Sequence, residues 1–166
     1  SALAVFGEVA YPDARVELIT ERAGCSRPAF YQYFSSKEDV FWTLATELGE
    51  AMVALADQLE PMTLDDAGLE RLTTWVDDFM ALHEAWSPVF RVFPDATRGD
   101  RAQVSRSGSI AGHTTKALLG AFDLPRTAAN KRLVSSLVGV LIRCSFYAEA
   151  APAGMSRRPL VLGLAR

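Results

Sequence analysis

Between Ser26 and Gln32 the sequence SRPAFYQ brings together a guanidinium, a phenol and a carboxamide, on Arg27, Tyr31 and Gln32. These are the groups that hydrogen-bond to base edges and to phosphates. On a helix, Phe30 and Phe34 share one face, being four residues apart, and should anchor the segment to a core. Arg27, Pro28, Tyr31 and Gln32 then take the outward arc, and packing gives no reason for an exposed arc of that composition. Ser26 supplies a hydroxyl for the first-turn N–H groups, where Pro28 is also tolerated. Lys37 stands in the first turn of the next helix, where a cation opposes the macrodipole and needs an anionic partner. A DNA phosphate would be one.

No other constellation suggests chemistry. The two histidines, His83 and His113, are far apart, and the chain has no G-x-S-x-G, no Walker motif and no glycine-rich turn after a strand. The expectation is a protein that is not an enzyme and holds no metal or cofactor. Asp65-Asp66 and Asp77-Asp78 read as solvated helix faces. Cys25 and Cys144 lack C-x-x-C spacing and a histidine cluster, so they read as small buried hydrophobes. Trp75, Phe79, Trp86, Phe90 and Phe93 are the aromatic concentration of the later chain. They fit core packing, and they also fit the lining of an apolar ligand cavity in which His83, His113, Arg143 and Tyr147 would be the polar handles.

The elements that must position these residues are all helical. Leu3, Phe6, Val9 and Ala10 form a short apolar stripe that ends at Tyr11-Pro12-Asp13. Leu18, Ile19 and Arg22 continue at helical spacing until Ala23-Gly24-Cys25, where a small residue and a glycine suit a tight inter-helix turn. Ser35 with Glu38 reads as a capping box for a third start. From Lys37 to Glu60 the apolar spacing is unbroken, predicting a helix of about 35 Å that Pro61 ends. Further helices are expected over Thr63–Glu84, from Ser87-Pro88 to Phe93, over Arg101–Phe122 with Gly108 and Gly112 lowering its propensity, over Thr127–Ala148, and after Ser156.

Tyr11, Val16, Ile19, Ala23-Gly24, Ser26-Arg27, Phe30-Tyr31-Gln32-Tyr33-Phe34 and Ser36-Lys37-Glu38 together resemble the DNA-binding domain of the tetracycline-repressor (TetR) family of bacterial regulators. The match covers roughly Leu3 to Leu48. The resemblance implies an all-α homodimer with a helix-turn-helix domain over 1–48, its first helix truncated, and a helical effector-binding and dimerisation domain over 49–166. It places Ser26–Phe34 in the major groove of a palindromic operator, with Arg27, Pro28, Tyr31 and Gln32 on bases, Tyr33 and Lys37 on phosphates, and Arg15 and Ser26 also at the DNA face. Function would be a ligand-responsive repressor, released by a small apolar or aromatic effector. A helical binding protein or enzyme with a vestigial helix-turn-helix is the alternative. Arg15 stands where the family usually has a capping Ser or Thr, and Glu17 where it often has a basic or polar DNA contact.

With 166 residues, 49% hydrophobic and 22% charged, the chain can bury a substantial core. No apolar run has membrane-span length and no signal-type segment opens the chain, so a cytoplasmic, nucleoid-associated protein without membrane contact is expected. Residues 1–60 hold four basic side chains against ten acidic ones, a net −6, and the rest come to +3. A DNA-binding domain is normally basic. Family members usually carry a basic N-terminal arm, and one is expected before Ser1. The Thr127–Ala148 segment is apolar over more of its circumference than one core contact requires. Its small residues Ser135, Ser136 and Gly139 would admit another helix, so this segment, with the C-terminal helix, is the expected dimer surface.

Overall fold

The structure, a computed structural model, describes residues 1–63, 65–96 and 101–150, with the backbone alone over 101–108 and 144–150. Among the described residues all regular structure is helical: α1 (Ala2–Glu8), a 3-10 turn (Tyr11–Asp13), α2 (Val16–Ala23), α3 (Arg27–Tyr33), α4 (Lys37–Asp57), α5 (Asp66–Ala85), α6 (Ser87–Ala96), α7 (Arg101–Ala121) and α8 (Ala128–Ala150). The all-α expectation is met. The chain divides into two compact units, one of residues 1–50 with 86–105, the other of 51–85 with 106–166. Helix α4 gives residues to both.

The first unit is built on an aromatic and aliphatic core. Val5, Phe6, Ile19, Phe30, Val40, Phe41, Val89 and Val92 are buried, and Phe41 meets Phe6, Tyr11 and Phe93 with ring centroids 6.1, 5.6 and 6.4 Å apart. Helix α6 therefore packs with the N-terminal helices. At Gly7 on α1 an added Cβ would lie 3.2 Å from Pro88 Cγ, so α1 and α6 approach closely there. Helix α6 begins on the Trp86 carbonyl, which accepts from Val89 and Phe90, one residue before the expected Ser87 cap. It also runs through Pro94 to Ala96 instead of stopping at Phe93.

In the second unit α5 presents Trp75, Phe79 and His83 to the interior at i, i+4 and i+8. Trp75 and Phe79 pack with Leu55, and the indole N–H donates to the Leu55 carbonyl at 2.9 Å. The buried ends of a large apolar ring and its one polar atom are thus both satisfied. Leu119, Val134 and Val138 make the second cluster of this unit, between α7 and α8. The remaining face of α8 is bare: Leu133, Leu137 and Val140 are 58%, 53% and 41% exposed. Ser135, Ser136 and Gly139 are exposed too.

Three local readings need correction. Asp65 is solvent-exposed but is more than a member of a stripe: its carboxylate accepts from the Gly68 N–H at 2.9 Å and from the Thr63 hydroxyl at 2.6 Å, so it caps α5. Those two hydrogen bonds, Thr63 first, hold its pKa below the ordinary aspartate value. Cys25 is exposed rather than buried, because it follows the turn glycine and its backbone, not its thiol, makes the turn's contact. Helix α4 ends at Asp57, short of Pro61, and the chain beyond is held by the Met62 N–H on the Ala121 carbonyl at 2.6 Å. The expected helix after Ser156, with its share of the dimer surface, and the Cys144 side chain lie outside the described residues.

Candidate nucleic-acid interface

Helices α2 and α3 are joined by a turn that only glycine enters without strain. Gly24 has φ +65°, its N–H donates to Glu21 O and the Cys25 N–H reaches back to Thr20 O at 3.0 Å. This paired closure satisfies the last carbonyls of α2 and redirects the chain within two residues. Thr20 is buried in α2, and its hydroxyl returns to the Glu17 carbonyl at 2.9 Å. Helix α3 opens on Ser26, whose Oγ accepts from the Ala29 N–H at 3.2 Å, with Pro28 in the first turn. Phe30 is the buried anchor and its ring lies 5.6 Å from that of Phe34, which caps the helix in an extended conformation.

The expected outward arc is outward. Ser26, Arg27, Pro28, Tyr31, Gln32 and Tyr33 are all exposed, Tyr33 by 79%. Arg15, at the start of α2, is exposed as well, and its side chain makes no capping bond. Arg27 is not a loose cation. Its Nη1 lies 2.5 Å from Glu17 Oε1 across the turn, and a hydrogen bond to Tyr31, then the Glu17 charge, raise its pKa above the ordinary arginine value. Glu17 was legible only as a departure in residue type. The signal available was a carboxylate in the first turn of α2 facing a guanidinium in the first turn of α3.

Two neighbours complete the geometry. Arg22 forms a bidentate ion pair with Glu8 of α1, one arm at 2.8 Å, which ties α1 to α2. Lys37 finds its partner inside the protein: Nζ donates to the carbonyls of Tyr11 and Pro12 at 2.8 and 3.1 Å and lies 4.8 Å from the Tyr11 ring centroid. Burial, then the Glu38 charge, push the Tyr11 phenol up to about 12. The capping box at the start of α4 is displaced by one residue from Ser35/Glu38. Ser36 Oγ accepts from the Asp39 N–H at 3.3 Å, and Asp39 reaches back to the N–H and hydroxyl of Ser35.

The residues considered for a ligand cavity divide between the two units. Trp86, Phe90 and Phe93 belong to the first, and Phe93 packs on Trp42 at 6.0 Å. Trp75, Phe79, His83, His113 and Arg143 belong to the second. His83 is buried, and desolvation lowers its pKa to about 4. His113 Nε2 lies 2.7 Å from Asp57 Oδ1, at the rim of a hollow of about 220 Å³ that Lys116, Gly120 and Arg126 also line. Arg143 is exposed, and the Tyr147 side chain lies outside the described residues. Among the described residues there is no group of His, Cys, Asp and Glu that could hold a metal ion, and no helix long and apolar enough to cross a membrane.

Comparison with curated proteins finds no match. Comparison with family models matches residues 1–42 to the bacterial regulatory proteins of the tetR family. That span holds α1, the 3-10 turn, α2, the Gly24 turn, α3 and the start of α4, the same segments that set Arg27, Tyr31 and Gln32 on the exposed face of α3. The match, over about a quarter of a chain whose described residues are otherwise helical, supports a DNA-binding transcriptional regulator whose N-terminal domain is similar to that of the bacterial tetR-family regulatory proteins.

Proposed function

We propose that the chain is a homodimeric, ligand-responsive repressor acting in the bacterial cytoplasm on a palindromic operator. The observation that carries the reading is the α3 face: six exposed residues, Ser26, Arg27, Pro28, Tyr31, Gln32 and Tyr33, displayed on a helix anchored by Phe30. Arg27, Tyr31 and Gln32 meet base edges in the major groove, and Pro28 packs beside them. Tyr33, Arg15 and the Lys37 N–H left after its two carbonyls meet phosphates. The domain division follows from the same reading: residues 1–48 bind DNA, and residues 49–166 bind the effector and the second subunit.

The bare α8 face of Leu133, Ser136, Leu137, Gly139 and Val140 supports the dimer, since an apolar stripe of this kind on a helix is normally covered. Pairing it with its two-fold copy presents two recognition helices at once. The effector is small and apolar or aromatic, held in the second unit near Trp75, Phe79 and His83 with His113 and Arg143 as polar contacts. Its binding displaces α4, which gives residues to both units, and alters the separation of the recognition helices. A change of a few ångströms suffices because both half-sites must be met together.

Selection from a randomised duplex pool with the full chain, followed by salt-titrated affinity measurement, tests the reading. The expected result is an inverted repeat bound as a dimer and released by one member of an aromatic small-molecule panel. Failure to enrich any duplex would support instead a helical ligand-binding protein with a vestigial helix-turn-helix.

A further inference from the structure

We propose that Glu17 positions Arg27 as a guanine reader and keeps it from serving as a general phosphate cation. The inference rests on the DNA-binding reading above and names how its central contact gains specificity. Arg27 Nη1 and Glu17 Oε1 are 2.5 Å apart, and the side chains are 56% and 50% exposed, so the pair lies on the surface of the helix-turn-helix rather than within its core. A guanidinium carries five N–H donors in a planar fork. Glu17 pairs with the guanidinium at Nη1, and Tyr31 and Glu17 together raise the Arg27 pKa. A guanidinium paired at one nitrogen keeps further donors for a second acceptor. Guanine offers two neutral acceptors, O6 and N7, that match two such donors side by side.

The carboxylate also decides which partner gains. A phosphate binds a cation chiefly through net charge and counterion release. The Arg27–Glu17 pair has no net charge, so a phosphate gains little from it. A base edge bonds through local dipoles, for which the remaining donors are sufficient. Arg22 is likewise paired, with Glu8, and residues 1–60 sum to −6. Sequence-independent attraction is weak in such a domain, and discrimination falls to contacts like that of Arg27.

The test uses the full chain and the duplex it enriches from a randomised pool. Affinities are measured over a range of salt on that duplex, on copies with each guanine of the half-site replaced, and on an unrelated duplex. Glu17→Gln frees Arg27. It should tighten binding to the unrelated duplex, steepen the salt slope by about 0.9 per recognition helix, and reduce discrimination at one guanine by about tenfold. Glu17→Asp should restore part of that discrimination. The double variant Glu17→Gln with Arg27→Gln removes the pair without changing net charge. It should leave binding to the unrelated duplex within about twofold of the unsubstituted chain while losing the same guanine preference. A Glu17→Gln variant that matches the unsubstituted chain in slope and discrimination overturns the proposal. So does a double variant that keeps the preference, or a Glu17→Gln variant that changes every duplex alike while its melting temperature falls. If the unsubstituted chain enriches no duplex, the regulator reading fails first and this proposal with it.

Discussion

The outward faces of α3 and α8 are both exposed, and they are opposite kinds of surface. On α3 the exposed side chains, Pro28 apart, are polar or aromatic with hydroxyls, and its cation is already engaged with Glu17. On α8 the exposed side chains include Leu133, Leu137 and Val140 with Ser136 and Gly139 beside them, and Lys131, Arg132 and Arg143 are exposed on the same helix. Water solvates the first face well, so it can stand open until DNA arrives. The second loses free energy for as long as it stays wet. If α8 meets a second copy as proposed, a reversible contact and a standing one ask for different chemistry on the same secondary structure.

The largest expected effect breaks the comparison on the α8 side. An added Cβ at Gly139 meets nothing within 4 Å, so Gly139→Arg fits the isolated chain without a clash. Placed against a second copy of α8, the same arginine would be buried without a partner. Light scattering should show monomers with an unchanged melting profile at low concentration, and operator binding should fall by about a hundredfold or more because one half-site is lost. A Gly139→Arg chain that remains dimeric on its operator would sink the α8 assignment.

The second effect concerns the scaffold that carries α8. His83 is buried in α5, which packs on α8, and its pKa is lowered to about 4. The native state thus binds its proton later than the unfolded chain, whose histidine titrates near 6.5. The stability this neutral histidine preserves is complete above about pH 6.5 and is lost as pH falls toward 4. The loss attributable to His83 is of order 1–3 kcal/mol at pH 4. Replacing it with leucine should shrink the difference in denaturant midpoint between pH 7 and pH 4. An undiminished difference would assign acid sensitivity to carboxylates alone.

The contrast between the faces also explains what was legible in the sequence. The α3 region is local: Gly24, Ser26, Pro28 and Phe30 fix turn, cap and buried side within a few residues of one another, and the structure keeps these roles, while Phe34 is the half-buried C-cap rather than a second buried anchor on the helix. Charge partners were not legible, because Arg27–Glu17, Arg22–Glu8 and Lys37–Tyr11 join residues on different elements. The capping box shifted by one because Ser35 and Ser36 offer the same hydroxyl and only the path of the chain chooses between them. The placement of α6 with the N-terminal helices was likewise unreadable. Its apolar stripe fits any core, and what selects this one is the close approach of Gly7 to Pro88 and the contact of Phe93 with Phe41.

A smaller effect sharpens the α3 side. Lys37 spends two N–H groups on the Tyr11 and Pro12 carbonyls, which fixes the 3-10 turn beside the start of α4. Lys37→Ala should therefore lower the melting temperature as well as weaken binding to all duplexes equally, with the salt slope falling by about 0.9 per recognition helix. A lower melting temperature with an unchanged slope would make Lys37 a strut only, and leave the phosphates to Arg15 and Tyr33.

The smallest effect separates the turn from the face it presents. Gly24 sits at φ +65° with open space around the position an added Cβ would take, so Gly24→Ala meets no clash. Its cost is the left-handed backbone alone, about 1 kcal/mol. The hydrogen bonds from Gly24 and Cys25 to Glu21 and Thr20 are backbone bonds and survive the change. Denaturant melts should show the modest loss, while affinity for the operator at a temperature well below the melt should stay within about twofold, since a residue this cheaply strained leaves α3 where it was. Should Gly24→Ala instead abolish operator binding with the fold intact, the angle between α2 and α3 would be set by this residue and not by the Phe30 anchor. The polar face of α3 would then owe its position to the turn rather than to the core beneath it.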